Sequence, residues 1–281
     1  MHLISSVSAI KQQTGQIRSS GQTIGFVPTM GALHEGHLQL LRTAARETDV
    51  TICSIFVNPT QFNNPEDFKL YPRLPEADTL LLEQNKCDVL FAPSAPEMYA
   101  EPLQLAFNFG ALETVMEGKF RPGHFNGVAA VVSKLFHLIK PHKAYFGQKD
   151  LQQFAIIRRL VIDLSFDLEL VCHPIIREAD GLAMSSRNRR LTEPQRQVAP
   201  HLYQALQLAQ HLLATESVAA AKVAVINYLQ AFKEIKLEYF EIADAHTLQP
   251  LEEITTGKQI ALCVAAFVGE VRLIDNIVFS Y

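Results

Sequence analysis

Residues 28–37, PTMGALHEGH, decide the fold of this 281-residue chain. The run of β-branched and apolar residues that leads into them, TIGFVPT at 23–29, is typical of a strand. Behind them, apolar residues recur at the spacing of one helical face: Leu38, Leu41 and Ala45. The stretch is therefore predicted to be the loop between the first strand and the first helix of an α/β sheet.

Strands and helices are predicted to alternate in this way up to about residue 176. Further strands are predicted at residues 50–58, 88–92, 143–146 and 168–172. Helices are predicted at residues 75–85, 125–140 and 150–164. Strands that alternate with helices predict a parallel sheet wrapped by helices, so residues 1–176 are expected to form one α/β domain.

The character of the chain changes after Ile176. Residues 177–191, READGLAMSSRNRRL, are polar and rich in turn formers, and helical stretches follow around 194–214 and 217–233. The last strands are predicted at residues 237–242, 260–268 and 271–279. Residues 177–281 are therefore expected to form a second, smaller α+β domain.

Composition excludes several classes of function. A net charge of −4 argues against a nucleic-acid partner, which requires clustered uncompensated Lys and Arg. The longest apolar run near the end, residues 260–268, is too short to cross a bilayer core of about 30 Å. The start, MHLISSVSAIKQQTG, lacks the features of a secretory signal, so a cytoplasmic location without a membrane partner is expected.

The four cysteines form no metal-binding pattern. They are isolated in sequence, without a C-x-x-C pair or a His at zinc-finger spacing: Cys53, Cys87, Cys172 and Cys263. Reduced thiols in the core are the expected state.

The loop at 28–37 carries the strongest chemical signal. Gly31 and Gly36 flank a turn where a nucleotide can approach bare backbone and direct phosphates at the N–H groups of a helix start. His34 and His37 project from that start and can donate hydrogen bonds to phosphate oxygens. The spacing is not the zinc-protease H-E-x-x-H. Two surface histidines on an amphipathic helix are the alternative interpretation.

Three weaker segments follow the ends of other predicted elements. Gly147 and Lys149 in YFGQKDLQQ stand between a strand and a helix, where an ammonium can neutralise a triphosphate. The MSSR at 184–187 combines two hydroxyls with a guanidinium suited to phosphate. Asn58 and Gln61 in NPTQ can hydrogen-bond a hydroxy acid. A solvated helix start, a surface loop and an Asn-Pro turn are the respective alternatives.

The H-x-G-H resembles the signature of nucleotidyltransferases related to class I aminoacyl-tRNA synthetases. Together with NPTQF, YPR at 71–73, GKFRPGHFNGV at 118–128, FGQKDLQQ and READGLAMSSRN, in this order, the chain resembles the pantothenate synthetase family. The resemblance implies a Rossmann-like first domain, with the second domain closing over the ATP site, and a homodimer. It also implies that ATP and pantoate form pantoyl adenylate, which β-alanine converts to pantothenate and AMP.

The resemblance also implies roles for particular residues. Gln61 would contact pantoate and β-alanine, Gln153 would hold pantoate, and His37, His34 and Lys149 would act in catalysis. The implied ATP-binding residues are Met30, Gly31, Ala32, Leu33, His34, Glu35, Gly36, His37, Gly147, Gln148, Lys149, Asp150, Ile176, Met184, Ser185, Ser186 and Arg187.

The sequence departs from the family at two places. Gln148 stands where many relatives carry Glu. Asp78 matches a carboxylate linked with magnesium in some relatives, but Ala77 beside it cannot help, so Mg²⁺ is expected to be held mostly by the nucleotide phosphates. Arg121 and His124 receive no individual role.

Two other functions fit parts of the sequence. One is a nucleotidyltransferase whose product keeps the nucleotide, and the other is a nucleotide sensor without turnover. Release of free AMP argues against the first, and ATP consumption argues against the second.

Overall fold

A six-stranded parallel sheet organises the first part of the chain in the computed structural model, which describes residues 1–281. Its strands are β1 (His2–Ile4), β2 (Ile24–Thr29), β3 (Val50–Ile55), β4 (Val89–Phe91), β5 (Lys143–Gly147) and β6 (Glu169–His173). The helices between them are α1 (Val7–Ser19), α2 (Glu35–Glu47), α3 (Pro65–Leu70), α4 (Pro75–Gln84), α5 (Ala95–Met98), α6 (Met116–Phe120), α7 (His124–Ile139) and α8 (Leu151–Asp163).

The strand order, β1-β4-β3-β2-β5-β6, contains one reversal of direction. From β2 the chain builds β3 and β4 on one side, and it then returns to place β5 on the other side of β2, with Gly25 beside Lys143. Loops that leave two neighbouring strands in opposite directions open a crevice at the carboxyl end of the sheet. The loop at 30–34, which follows β2, starts at this crevice.

Both faces of the sheet are buried, and alternation along each strand supplies the two faces. Phe26 and Ile52 pack with the cluster that contains helix α7, whereas their neighbours Val27 and Cys53 pack with the cluster that contains helix α2. Successive side chains of a strand point to opposite faces, so a sheet covered twice requires continuous apolar strands.

The rest of the chain forms a second unit with its own core. Its elements are α9 (Glu193–Val198), α10 (His201–Leu212), α11 (Val218–Gln230), β7 (Ile235–Asp244), β8 (Gln259–Val268) and β9 (Val271–Ser280). The three strands form an antiparallel sheet in the order β7-β8-β9, and apolar residues of α10 and α11 pack on it. The predicted fold class, a parallel α/β region followed by a smaller α+β region, is confirmed.

Two short segments of the first half group with the second unit. Unit 1 consists of Met1–Glu113, Gly118–Gly147 and Gln153–His173. Unit 2 consists of Thr114–Glu117, Gln148–Gln152 and Pro174–Tyr281. The continuous part of unit 2 begins at Pro174. No helix of the chain is both long enough and apolar enough to span a membrane.

Several element boundaries differ from the sequence-based ones for local reasons. The strand expected at 50–58 ends at Ile55, because Asn58 accepts from the Thr60 N–H and caps a 3-10 turn. The helix expected at 194–214 is divided at Pro200, which has no N–H to donate. Strand β1 and helix α1 were not predicted, because α1 presents only three buried residues among polar ones.

Candidate active site

The loop after β2 has an unusual backbone. Gly31 (φ +81°) and Ala32 (φ +51°) are consecutive residues in the left-handed region. A Cβ at Gly31 would lie 3.0 Å from both Asp78 Oδ2 and Ile55 Cγ2, so glycine is required for conformation and for space. The Gly31 N–H donates to the Thr29 hydroxyl at 3.2 Å.

A buried carboxylate holds this loop. Asp78, on α4, is only 2% exposed, and its two oxygens accept from the N–H groups of Ala32 and Leu33, each at 2.8 Å. Consecutive N–H groups in such a turn form a concave anion-binding site. Here the anion is an internal side chain, so the phosphates of a nucleotide are left to the N–H groups further along, at the start of α2.

The two histidines of the loop lie side by side. His34 is the N-cap residue of α2, and its ring centroid lies 4.0 Å from that of His37. The His34 N–H donates to His37 Nδ1 at 3.4 Å. Because Nδ1 of His37 accepts, the proton of its neutral ring lies on Nε2, which is therefore the donor.

Glu35, in the same segment, turns its side chain along α2. Its carboxylate pairs with Arg42 and accepts from Gln39 at 2.6 Å. The hydrogen bond from Arg42 lowers the pKa of Glu35, although burial opposes it. Glu35 is thus placed to offer a nucleotide its backbone N–H in the first turn of α2.

Gln61 follows β3 and presents an amide of fixed orientation. The Asn58 side-chain nitrogen Nδ2 donates at 3.1 Å to two acceptors, the Gly127 carbonyl oxygen and Gln61 Oε1. Since a carbonyl can only accept, neither amide can be turned around without losing hydrogen bonds. Gln61 Nε2 then faces Met30, at 3.2 Å from its sulfur.

His124 and Arg121 support the same turn from the chain around α7. His124 Nδ1 donates to the Gln61 carbonyl oxygen at 2.8 Å, and this side chain is 5% exposed. With its proton on Nδ1, the neutral ring accepts at Nε2 from Arg121 Nη1, 3.1 Å away. Both residues therefore lie beside Gln61, a placement that sequence reasoning left open.

Gly127 allows α7 to approach this turn closely. A Cβ there would lie 2.2 Å from the Thr60 carbonyl oxygen and 2.7 Å from the Gln61 backbone nitrogen. Any side chain would therefore push α7 away from Gln61.

In unit 2, Asn276 organises the turn that contains Lys149. Its Nδ2 donates to the carbonyl oxygens of Gln148 at 3.0 Å and Lys149 at 2.9 Å, and its Oδ1 accepts from Gln148 Nε2 at 3.1 Å. The Gln148 amide donates in this last bond, which a Glu carboxylate could not do. The Lys149 ammonium lies 3.7 Å from the Asp150 carboxylate, and the Lys149 side chain is 18% exposed.

In the same unit, the loop at 176–187, which carries MSSR, is held by hydrogen bonds between its own residues. The Met184 N–H donates to the Ile176 carbonyl oxygen at 3.0 Å, and Arg177 pairs with Ala183 across an isolated bridge. Ser185 caps a 3-10 turn over Ser186–Arg190 by accepting from the Arg187 N–H at 3.2 Å.

Arg177 joins this loop to strand β9. Its guanidinium binds both oxygens of the buried Asp275 carboxylate at 2.6 and 3.0 Å. The same guanidinium stacks 3.6 Å from the centre of the Tyr203 ring.

The predicted residues thus fall into two groups. Unit 1 contains the adjacent rings of His34 and His37 and the contact of Gln61 with Met30, and it places Gly147 at the end of β5 and the half-buried Gln153 in the first turn of α8. Unit 2 contains the turn at 148–150 and the loop at 176–187. Sequence reasoning missed Asp275 and Asn276, although two polar residues inside the apolar strand LIDNIV signal a buried polar role.

Asp78, the residue expected to contact Mg²⁺, supports the backbone of the loop. Both of its oxygens accept from N–H groups inside the fold, and it is 2% exposed; the magnesium contact stays a prediction. The chain brings together no group of three or more His, Cys, Asp or Glu side chains that could hold a metal ion.

Known proteins resemble this chain over its whole length. The family model described as pantoate-beta-alanine ligase matches residues 2–278. The pantothenate synthetase of Cytophaga hutchinsonii is 48% identical over 98% of both chains. That of Thermotoga neapolitana is 48% identical over 100% of both.

Solved structures also resemble this chain over nearly its whole length. The pantothenate synthetase of Thermus thermophilus superposes with a TM-score of 0.92 at 43% identity, covering 99% of both chains. The pantoate-beta-alanine ligase of Francisella tularensis, solved as a complex with beta-gamma ATP and beta-alanine, superposes with a TM-score of 0.82 at 34% identity, over 99% of this chain and 97% of that one.

Proposed function

The chain belongs to the pantoate-beta-alanine ligase family, and we propose from this premise how its residues perform the reaction. The enzyme is a ligase that uses ATP to join pantoate to β-alanine and form pantothenate. A carboxylate is a poor electrophile, so the acyl carbon needs a good leaving group. AMP is that group, and the reaction passes through pantoyl adenylate.

In the first step a carboxylate oxygen of pantoate attacks the α-phosphorus of ATP, and the bond to pyrophosphate breaks. We propose that Gln61 and Gln153 hold pantoate in line for this attack. His37, through its Nε2–H, and His34 donate hydrogen bonds to the phosphate oxygens as charge builds on them. Lys149 and Arg187 supply positive charge to the same oxygens. The N–H groups at the start of α2 add to this stabilisation.

In the second step the amine of β-alanine attacks the acyl carbon and the bond to AMP breaks. The amine nitrogen must arrive unprotonated and loses one further proton as the amide forms. We assign no side chain as its base, and no covalent enzyme intermediate is required. Gln61 contacts both pantoate and β-alanine in this proposal.

One observation carries the assignment of the site. The two adjacent rings of His34 and His37 and the oriented amide of Gln61 lie in unit 1, where the loop after β2 starts at the crevice between β2 and β5. In open parallel sheets ligands bind at this point of reversal.

Release of AMP and pyrophosphate from ATP tests the function. We expect AMP release that requires pantoate and β-alanine together and is selective for pantoate among hydroxy acids. Pyrophosphate release without AMP would favour an enzyme that keeps the nucleotide in its product, and no ATP consumption would favour a sensor.

The metal ion, the cellular location and the oligomeric state belong to the same proposal. We expect Mg²⁺ to enter with ATP, held by the phosphates, because this ion binds nucleotides in preference to dedicated protein cages. A cytoplasmic homodimer is the expected form, on the family resemblance. Sedimentation velocity of the purified chain tests the dimer.

A further inference from the structure

Tyr99 lies outside every motif of the sequence but bonds to the turn that carries Gln61. It follows α5, and its hydroxyl donates to Asn58 Oδ1 at 2.8 Å. The ring of Tyr99 packs against Phe56, which follows β3, with 6.1 Å between the ring centres. The Lys134 ammonium lies 5.4 Å from the centre of the same ring.

Tyr99 and Gln61 are connected through two hydrogen bonds to Asn58, and in each bond the donor and the acceptor are fixed. Asn58 is 1% exposed, and its Nδ2 is committed to two acceptors, so its Oδ1 must be the atom that faces Tyr99. Tyr99 therefore donates to Asn58, and Asn58 donates to Gln61 Oε1. The Gln61 amide is left with Nε2, which only donates, toward the side where Met30 lies.

We propose that Tyr99 is a positioning residue for pantoate binding: its hydroxyl fixes the Asn58 amide, which makes Gln61 a hydrogen-bond donor to the substrate. This inference rests on the proposed function of Gln61. A donating amide suits the oxygens of a hydroxy acid, whereas an inverted amide would turn a carbonyl oxygen toward a carboxylate and repel it.

The protonation state of Tyr99 agrees with this direction. Burial raises the pKa of its hydroxyl, so the group keeps its proton and remains a donor throughout the neutral range.

Thr60 also binds Asn58 Oδ1, through its hydroxyl at 3.0 Å. Loss of Tyr99 alone should therefore weaken the orientation of the amide rather than abolish it.

The test begins with Tyr99→Phe, which keeps the ring packing and removes one hydroxyl. Its matched control is Tyr145→Phe, because Tyr145 is buried and its hydroxyl also binds a side chain, Glu47, at 3.1 Å. We expect the KM for pantoate to rise about fivefold in Tyr99→Phe, the value of one neutral hydrogen bond. The KM for ATP should stay unchanged, and Tyr145→Phe should leave both constants unchanged.

A second variant inverts the direction of the bonds. Asn58→Asp removes the Nδ2 donor, so Gln61 must turn its own NH₂ toward residue 58 and its oxygen toward the substrate. We expect kcat/KM for pantoate to fall about 100-fold, because a hydrogen bond to a charged substrate is replaced by repulsion.

A coupling measurement separates positioning from general damage. The affinity for pantoate, measured by calorimetry with a non-hydrolysable ATP analogue, should respond to Tyr99→Phe in the wild type but not in a Gln61→Ala background. Equal effects in both backgrounds, an unchanged KM for pantoate, or an equal rise in the KM for ATP would overturn the proposal. If the wild type itself binds no pantoate, the proposed function fails and this inference fails with it.

Discussion

His37 is the residue whose loss should affect the chemistry most directly. Its Nδ1 accepts a hydrogen bond from the His34 N–H, so its Nε2–H is the group that is left to donate. We expect His37→Ala to slow pantoate-dependent exchange of pyrophosphate into ATP by about 100- to 1000-fold, the typical effect of one lost donor to developing charge.

This exchange reports the first step alone. His211→Ala is the control, because His211 is an exposed histidine in the last turn of α10. Its exchange rate should equal that of the wild type, and circular dichroism should show both variants folded. A His37→Ala enzyme with nearly normal exchange would remove this residue from the mechanism.

Asp78 offers a second test, which distinguishes support of the loop from metal binding. Asp78→Asn replaces one acceptor with an NH₂ that faces a backbone N–H, so we expect the unfolding free energy to fall by about 1–3 kcal/mol in buffer with EDTA. The rate should also fall, while the Mg²⁺ concentration required for half-maximal rate stays the same.

Glu76→Gln is the matched control, since Glu76 is an exposed carboxylate in the first turn of the same helix α4. It should change neither stability nor rate. An Asp78→Asn enzyme that keeps its stability in EDTA and needs more Mg²⁺ would make Asp78 a metal ligand.

At this scale the sequence shows which residue types are present but not their partners. The adjacent rings of His34 and His37 follow from a spacing of three on a helix start, which any reader of the sequence can see. The contacts of Asn58 with Tyr99 and of Ala32 with Asp78 join residues far apart in the chain. No local pattern encodes such pairs, because they arise from the order of strands in the sheet.

Among the elements, the approach of α7 to the turn at 58–61 should be the least tolerant of change. Gly127→Ala places a methyl group 2.2 Å from the Thr60 carbonyl oxygen. We expect overpacking to lower the unfolding free energy by about 1–3 kcal/mol and to raise the KM for pantoate, because the helix must move away from Gln61.

Gly15→Ala is the control, because the added methyl group has room at this glycine. Gly15 lies in α1, is exposed, and has no atom within 4 Å of an added Cβ. This variant should gain about 0.5–1 kcal/mol from better helix propensity. Urea unfolding measures both variants, and equal stabilities for the two would contradict the close approach seen at Gly127.

The elements themselves were predictable where their apolar residues are continuous or periodic. Strands β2 and β3 are buried on both faces and appear in the sequence as nearly continuous apolar runs. The helix expected at 194–214 shows the limit of periodicity, since Pro200 divides it while the apolar spacing continues. Helix α1 escaped notice because most of its residues are polar and its contacts come from α7.

For the molecule as a whole, the four thiols should be nearly inert. Three are buried, and burial raises the pKa of Cys87 and Cys263 to about 12 and that of Cys53 well above its usual range. The expectation of four core thiols was wrong for Cys172, which is exposed on β6, where desolvation of its sulfur raises the pKa to about 11.

Raised pKa values keep thiols protonated, and the thiolate is the reactive form. At pH 8 the Cys172 thiol is therefore almost wholly protonated. We therefore expect iodoacetamide at pH 8 to label Cys172 slowly, to label the others only after unfolding in urea, and to leave activity unchanged. Intact-mass spectrometry counts the labels, and rapid labelling of the folded protein at more than one site would contradict the burial.

The position of β1 has a consequence for the way the chain is made. His2–Ile4 is synthesised before the other strands of the sheet, yet its only partner is β4, whose residues Val89–Phe91 are synthesised much later. Parallel pairing over such a separation carries a large loop-closure entropy and is slow. During synthesis the first strand therefore waits unpaired, and the sheet gains its outer edge only after β3 and β4 have been assembled beside β2.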